Sequence, residues 1–240
     1  MRVEHLAIDG SVVSIEADAD LTTHATATGW AIVPSLMRTH PFTISPAGHS
    51  AIVEESVRSN VRAVRFLSAE DYSLKGGSLR VIEVELPTAT GRTRNLTVGG
   101  WEGKTGCLVT SLVGLERDRL IEVFDTLHFR EHARGLAIDS PVTRQPRVPE
   151  VIKEIPELGV LSVRPAISSE LERIPKTRGH LTNHGELFRL RPSSAALAFV
   201  SKSAVVRVNP LERSDTRAML AVAQNLRVEW TPRPPSTPVR

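Results

Sequence analysis

GCLVTSLVGLERDRLIEVFDTLHFRE, Gly106 to Glu131, decides how the rest of the chain is read. Apolar residues crowd Cys107 to Val113 over a strand's length, and Gly114 breaks the run. Leu120, Val123, Phe124 and Leu127 then recur at i, i+3, i+4 and i+7, which places one apolar stripe on one face of a helix. The stretch therefore predicts strand, turn, amphipathic helix over 118–128, and a second strand. Asp118 falls where a side-chain oxygen can cap the free N–H groups of the first turn.

A diverged copy lies near the C-terminus: SAVVRVNPLERSDTRAMLAVAQNLRVEW, Ser203 to Trp230. Leu115-Glu116-Arg117 corresponds to Leu211-Glu212-Arg213, and Cys107 to Ser203. Past the turn, Leu120, Val123, Phe124 and Leu127 correspond to Met219, Val222, Ala223 and Leu226. A helix over 215–225 follows, with Ser214 or Asp215 as its cap.

Working outward, Val3–Ala7 and Val12–Ala17 read as a hairpin about Asp9-Gly10. Thr23–Val33 reads as a strand and Leu36–Ser50 as a loop, since Pro41, Pro46 and Gly48 punctuate it. Ile52–Ser59 reads as a short helix or strand. Asn60–Ser68, Ser78–Leu86 and Asn95–Trp101 read as strands, the first two from the alternation of half-buried antiparallel pairs. Pro141, Pro146, Pro149 and Pro156 argue for a linker over 137–156, with one helical turn at Glu150–Glu154. Val160–Arg164, Glu186–Leu190, Ala195–Ser201 and Ala204–Val208 read as further strands. Ser168–Arg173 reads as a short helix and Pro175–Gly185 as a loop. The expected fold is α+β and β-dominant, with antiparallel sheets and two related halves, 1–136 and 157–230. One amphipathic helix closes each half, and a Pro-rich tail, 231–240, follows.

Composition narrows the function classes. Hydrophobic residues make up 40% of the 240 but aromatics only 4%, so the core must rest on Val, Leu, Ile and Ala. The net charge is +3 and is spread along the chain, which gives no nucleic-acid footprint. Only Lys75, Lys104, Lys153, Lys176 and Lys202 among the basic residues are lysine, a bias that suits a GC-rich genome. The single cysteine excludes an intramolecular disulfide and suits a reducing compartment. The longest apolar run, Ala195–Val200, is too short to span a bilayer. MRVEHLAIDG has no apolar core of signal-peptide length. A soluble, cytoplasmic chain is expected, unless a leader has been cleaved.

Candidate chemistry is sparse. Gly99 to Gly106, GGWEGKTG, approaches a phosphate-cradling loop. It has Val98 where a glycine is needed, however, and a β-type run where a helix should begin, so it reads as a hairpin turn with Lys104 in solvent. His180 and His184 are four apart beside Glu186, but Gly179 and Gly185 bracket them in a turn and no third ligand is placed. No metal and no cofactor are assigned. His128 and His132 are also four apart. His128 suits the end of a helix, where a cation complements the dipole. Cys107 opens a strand and reads as a buried thiol, not a nucleophile. No G-x-S-x-G elbow is present and no catalytic residue is assigned. Pro232, Pro235 and Pro238 give the tail a loose PxxP form that aromatic grooves read.

GLERDRLIEVFDTLHF, Gly114 to Phe129, resembles the closing helix and strand of Mog1/PsbP-like α+β domains. The resemblance covers the two strand–helix–strand units, 106–131 and 203–230, and carries no catalytic motif. It implies an antiparallel sheet flanked by helices that binds a protein or peptide partner. The function expected is non-enzymatic: a protein-binding or self-associating assembly module, accessory to a larger complex. The alternative is an enzyme or small-ligand binder with a site around His180, His184 and Glu186.

Overall fold

The computed structural model describes residues 1–48, 65–88, 91–139, 141–142, 147–190, 195–211 and 216–234. The expected element at Ile52–Ser59, the start of the expected strand at Asn60, the caps Ser214 and Asp215, and Pro235 and Pro238 lie outside them. The fold is α+β and β-dominant, built of antiparallel sheets. No helix among the described residues is long and apolar enough to cross a membrane.

The strands are β1 (Arg2–Leu6), β2 (Val12–Glu16), β3 (Ala25–Val33), β4 (Arg38–Ser45), β5 (Arg65–Leu74), β6 (Gly77–Pro87), β7 (Thr93–Glu102) and β8 (Cys107–Val113). Helix α1 (Arg117–Thr126) precedes β9 (Phe129–His132), β10 (Gly135–Ile138), β11 (Pro141–Val142), β12 (Glu150–Ile155) and β13 (Gly159–Pro165). Helix α2 (Ser168–Leu171) is followed by β14 (His180–Leu181), β15 (Glu186–Arg189), β16 (Leu197–Val200) and β17 (Ala204–Pro210). Helix α3 (Thr216–Gln224) and β18 (Arg227–Thr231) come last. The chain divides into two compact units, Gly29–Val142 and Met1–Thr28 together with Thr143–Arg240.

In the unit Gly29–Val142, strands run β4-β8-β7-β6-β5, and β9 pairs with β10. The apolar stripe of α1 is fully used: Leu120, Val123, Phe124 and Leu127 are all buried. The helix packs on β6 and β7. It begins at Arg117, one residue earlier than expected, so Asp118 lies within the first turn and the N-cap is Glu116, which makes no side-chain cap bond. Ile82, Val84 and Val98 form a second buried cluster with Phe66, Ala69, Leu96 and Val109. His128 directly follows Leu127, the C-cap of α1, and is exposed, while a second basic residue is bonded to that end of the helix. That residue is Lys75, whose Nζ donates to Leu127 O at 2.7 Å and lies 5.3 Å from the centre of the Phe129 ring. Lys75 and Gly76, both at positive φ, make the tight turn between β5 and β6 that brings the ammonium there.

Two expectations fail here for one reason. Arg38–Ser45 is a strand where a loop is expected. His40, Phe42 and Ile44 alternate inward, while Pro41 sits at an exposed position and the ladder to β8 runs from Thr43 to Ser45. Likewise Glu150–Ile155 is a strand and not a helical turn in a linker. Pro149 and Pro156 bound it without interrupting it, so every residue of the strand keeps its backbone donor.

In the other unit, β1-β2-β18 form a three-stranded sheet that buries Val13, Ile15, Val228 and Trp230. A second sheet runs β14-β15-β16-β17-β13-β12, with Ala25–Thr28 of β3 beside β12. Met219, Val222, Ala223 and Leu226 of the second amphipathic stripe are buried, and α3 packs on β17. Lys153 occupies a core position on β12 between Val151 and Ile155 and is fully buried. Its ammonium donates to the carbonyl of Thr23, and the Thr23 hydroxyl donates to Glu154 O at 2.5 Å. A buried cation thus fastens the segment before β3 to β12. His5, on β1, has a buried Nε2 without a hydrogen-bond partner among the described residues.

Two predictions come from this packing. A Cβ on Gly99 would stand 2.7 Å from the Phe124 ring and 2.8 Å from Leu120 Cδ2, whereas one on Gly100 would meet nothing nearer than Cys107 Sγ at 3.7 Å. Urea unfolding is expected to show Gly99→Ala less stable by about 1–3 kcal/mol and Gly100→Ala within about 1 kcal/mol of the parent. The second concerns pH. Burial, aided by the Lys153 charge, lowers His5 from 6.5 to about 4. Between those values the unfolded chain takes up a proton that the folded chain does not. Stability should therefore fall as pH drops through that window, by roughly 3 kcal/mol at most. The difference in unfolding free energy between about pH 7 and about pH 4.5 is expected to shrink in His5→Gln.

Candidate functional site

The glycine-rich stretch is structural. Gly99 and Gly100 lie inside β7, and Gly103–Gly106 turn the chain into β8, closed by Gly103 N–H to Gly106 O at 3.0 Å. The Thr105 amide and hydroxyl donate to Glu131 Oε1 at 2.8 and 3.1 Å, and Lys104 is exposed. Trp101 donates through Nε1 to Leu74 O at 2.7 Å and packs edge-on against Phe129. Cys107 is fully buried, and burial, followed by the nearby Glu102 carboxylate, pushes its thiol up to about 12. His128 and His132 are both exposed.

Buried charge gathers around Arg164 on β13. Its Nη2 donates to Glu150 Oε2 at 3.0 Å, and its Nη1 lies 3.3 Å from Glu170 Oε2. Glu170, almost fully buried on α2, also accepts from Arg173 at 3.2 Å, and the Ser162 hydroxyl donates to Glu150. Two arginines balance two carboxylates here, so this cluster docks α2 onto the sheet. Neither it nor the buried Lys153 is visible in the sequence, where nothing local marks a charged residue as buried.

The histidine pair separates from its expected arrangement. His180 is exposed on β14 opposite Leu187, and His184 sits in the turn beyond Leu181. Thr182 shapes that turn. Its Oγ1 accepts from the amides of His184 at 3.3 Å and Gly185 at 3.1 Å, and donates to Gly185 O at 3.0 Å. Gly185 admits no side chain, because a Cβ would run into the Val200 carbonyl and the Phe199 ring. Glu186 begins β15 and accepts the Gly179 N–H at 2.7 Å through Oε1. Among the described residues no group of three or more His, Cys, Asp or Glu is placed to hold a metal.

His184 and Glu186 nevertheless open into one cavity of about 740 Å³. The turn Thr182–Gly185 forms one wall and the turn Ser201–Ser203, between β16 and β17, a second. Residues Arg227 to Glu229 of β18 form the third. Side-chain hydroxyls lock the frame. Ser201 Oγ accepts from Ala204 N–H at 3.0 Å, and Ser203 Oγ accepts from Trp230 N–H at 2.9 Å, clipping β18 to the turn. Arg227 donates through Nε and Nη2 to Glu229 Oε1 at 3.2 and 2.9 Å and lies 3.9 Å from Glu16. The Glu229 carboxyl is held low by the Arg227 bond and charge.

Lys202, Arg227 and Glu229 escape sequence reasoning. Ser201-Lys202-Ser203 between two apolar runs carries a turn signal, but pairing of β15 with β16 is what brings that turn beside Thr182–Gly185. Comparison with protein-family models, curated proteins and solved structures found no match.

The state of Cys107 can be tested directly. With a thiol near 12, roughly one side chain in ten thousand is ionised at about pH 8. Iodoacetamide is expected to label the native protein more than about a hundredfold more slowly than the urea-unfolded chain, read by intact mass.

Proposed function

We propose that this chain is a binding protein whose ligand site is the cavity framed by Thr182–Gly185, Ser201–Ser203 and β18. The observation that carries it is the convergence of His184 and Glu186 with Lys202, Arg227 and Glu229 on one cavity of about 740 Å³, a size usual for small-molecule sites. The site is built for recognition. Its turns are fixed by side-chain hydroxyls, Glu186 is held on one oxygen by its own loop, and Arg227 is oriented by Glu229. Fixed donors and acceptors on hairpin turns between paired strands lose little freedom when a ligand arrives. Leu181 and Val200 add apolar surface to the lining.

A second reading, a protein-binding or assembly module accessory to a larger complex, draws on a different surface. Ile32, Met37 and Val113, in the unit Gly29–Val142, leave 54%, 91% and 51% of their surface in solvent, and exposed apolar side chains of that size suit a partner's contact. The resemblance of the two closures to Mog1/PsbP-like domains points the same way, as does the PxxP form of the tail that begins at Pro232.

A chemically diverse small-molecule set screened by thermal shift tests the first reading. At least one compound is expected to raise Tm, with a rise that grows as the logarithm of its concentration above Kd, as mass action requires, and His184→Trp, which adds bulk to the cavity lining, should abolish the rise. No such compound would remove the reading, and concentration-dependent self-association lost in Met37→Glu would move the weight to the second.

A further inference from the structure

The cavity's charges are not equally available, and their difference names a ligand class. Arg227 and Glu229 form an ion pair with each other. Glu229 gives Oε1 to both Arg227 nitrogens, so this pair presents little net charge. Thr182, Ser201 and Ser203 spend their hydroxyl oxygens on backbone amides. Two groups of opposite sign are left on the same lining. The Lys202 ammonium, exposed at the tip of its turn, makes no hydrogen bond or ion pair among the described residues. Glu186 has Oε1 on the Gly179 amide, an uncharged donor, and its Oε2 accepts no hydrogen bond among the described residues. Lys202 and Glu186 line one cavity without pairing with each other. The His184 imidazole, also without a partner among the described residues, adds a donor or acceptor beside them.

We propose that the cavity selects a zwitterionic ligand, an α-amino acid or short peptide with free termini. Its carboxylate is received by Lys202, its ammonium by Glu186, and its side chain lies toward Leu181 and Val200. This rests on the small-ligand reading of the same cavity. Each end of such a ligand meets a group whose charge no neighbouring side chain cancels, and charge-assisted hydrogen bonds are the strong ones. A purely anionic ligand would bring a second negative charge to Glu186, and a purely cationic one a second positive charge to Lys202. Selection for both termini therefore arises from repulsion as well as attraction. The volume exceeds what a single amino acid fills, which leaves room for a dipeptide.

The test is isothermal titration of the full chain with glycyl-leucine, its N-acetyl form and its C-terminal amide, at low and moderate salt. The unblocked dipeptide is expected to bind, with each blocked form weaker by at least roughly tenfold. Lys202→Gln should lose the preference for a free carboxylate and Glu186→Gln the preference for a free amine. Glu186→Gln keeps a carbonyl oxygen for the Gly179 amide, so a folding defect is separable by its unfolding midpoint. Equal binding of blocked and unblocked forms would overturn the zwitterion assignment and leave the cavity reading standing, as would silence from all three where the diverse set gives a ligand. Silence from the dipeptides and the diverse set together would overturn both.

Discussion

Helix α1 approaches β7 so closely that the strand has room only for glycine where Leu120 and Phe124 meet it. Much of the unit Gly29–Val142 depends on that approach. A chain with few aromatic residues must build its interior from aliphatic side chains, each contributing only about 1.5–3 kcal/mol when buried. Small residues on the sheet let the helix sit low enough for its four stripe positions to be fully covered. Lys75 then secures the far end. Its ammonium on Leu127 O satisfies a carbonyl that the helix leaves free, and its position over Phe129 ties the β5–β6 turn to the strand that follows the helix.

The unit that holds the chain's C-terminal half solves a different problem, how to fix a large sheet when charge is placed inside it. Lys153 stands in line with Val151 and Ile155, where an apolar side chain would serve. The Arg164 cluster likewise brings Glu170 out of water. Removing a charge from solvent is costly unless it is paired, so such groups contribute little net stability but penalise any register that separates them from their partners. Lys153 reaches one carbonyl, on Thr23, and Arg164 reaches carboxylates on β12 and α2. These interactions define which segments lie against which.

The cavity inherits its rigidity from the same sheet. The two hairpin turns that frame it leave neighbouring strands, and the pairing of Glu186 with Val200 sets them side by side. Hydroxyl-to-amide bonds within each turn remove local freedom before any ligand arrives. The charges that face the cavity were recruited from places far apart in the chain, Lys202 from a turn and Arg227 from the strand after α3.

How much of this was legible depended on the range of the physics. The strand–helix–strand patterns at 106–131 and 203–230 were readable because amphipathic periodicity is local: one face of each helix must be apolar wherever it docks. The hairpin about Asp9-Gly10 and the β-dominant class were readable for the same reason. Prolines misled at Arg38–Ser45 and Glu150–Ile155, because a proline's effect depends on whether it interrupts a ladder or bounds it, and only strand pairing decides that. The burial of Lys153 and Glu170 was not legible, because a residue's type does not tell whether a partner waits inside. The sequence by itself determined which residues could be buried and in what local form. The tertiary structure alone decided which strands became neighbours, and so which of His180, His184, Glu186 and Lys202 share a cavity, because convergence between distant segments is set by strand register and not by spacing along the chain.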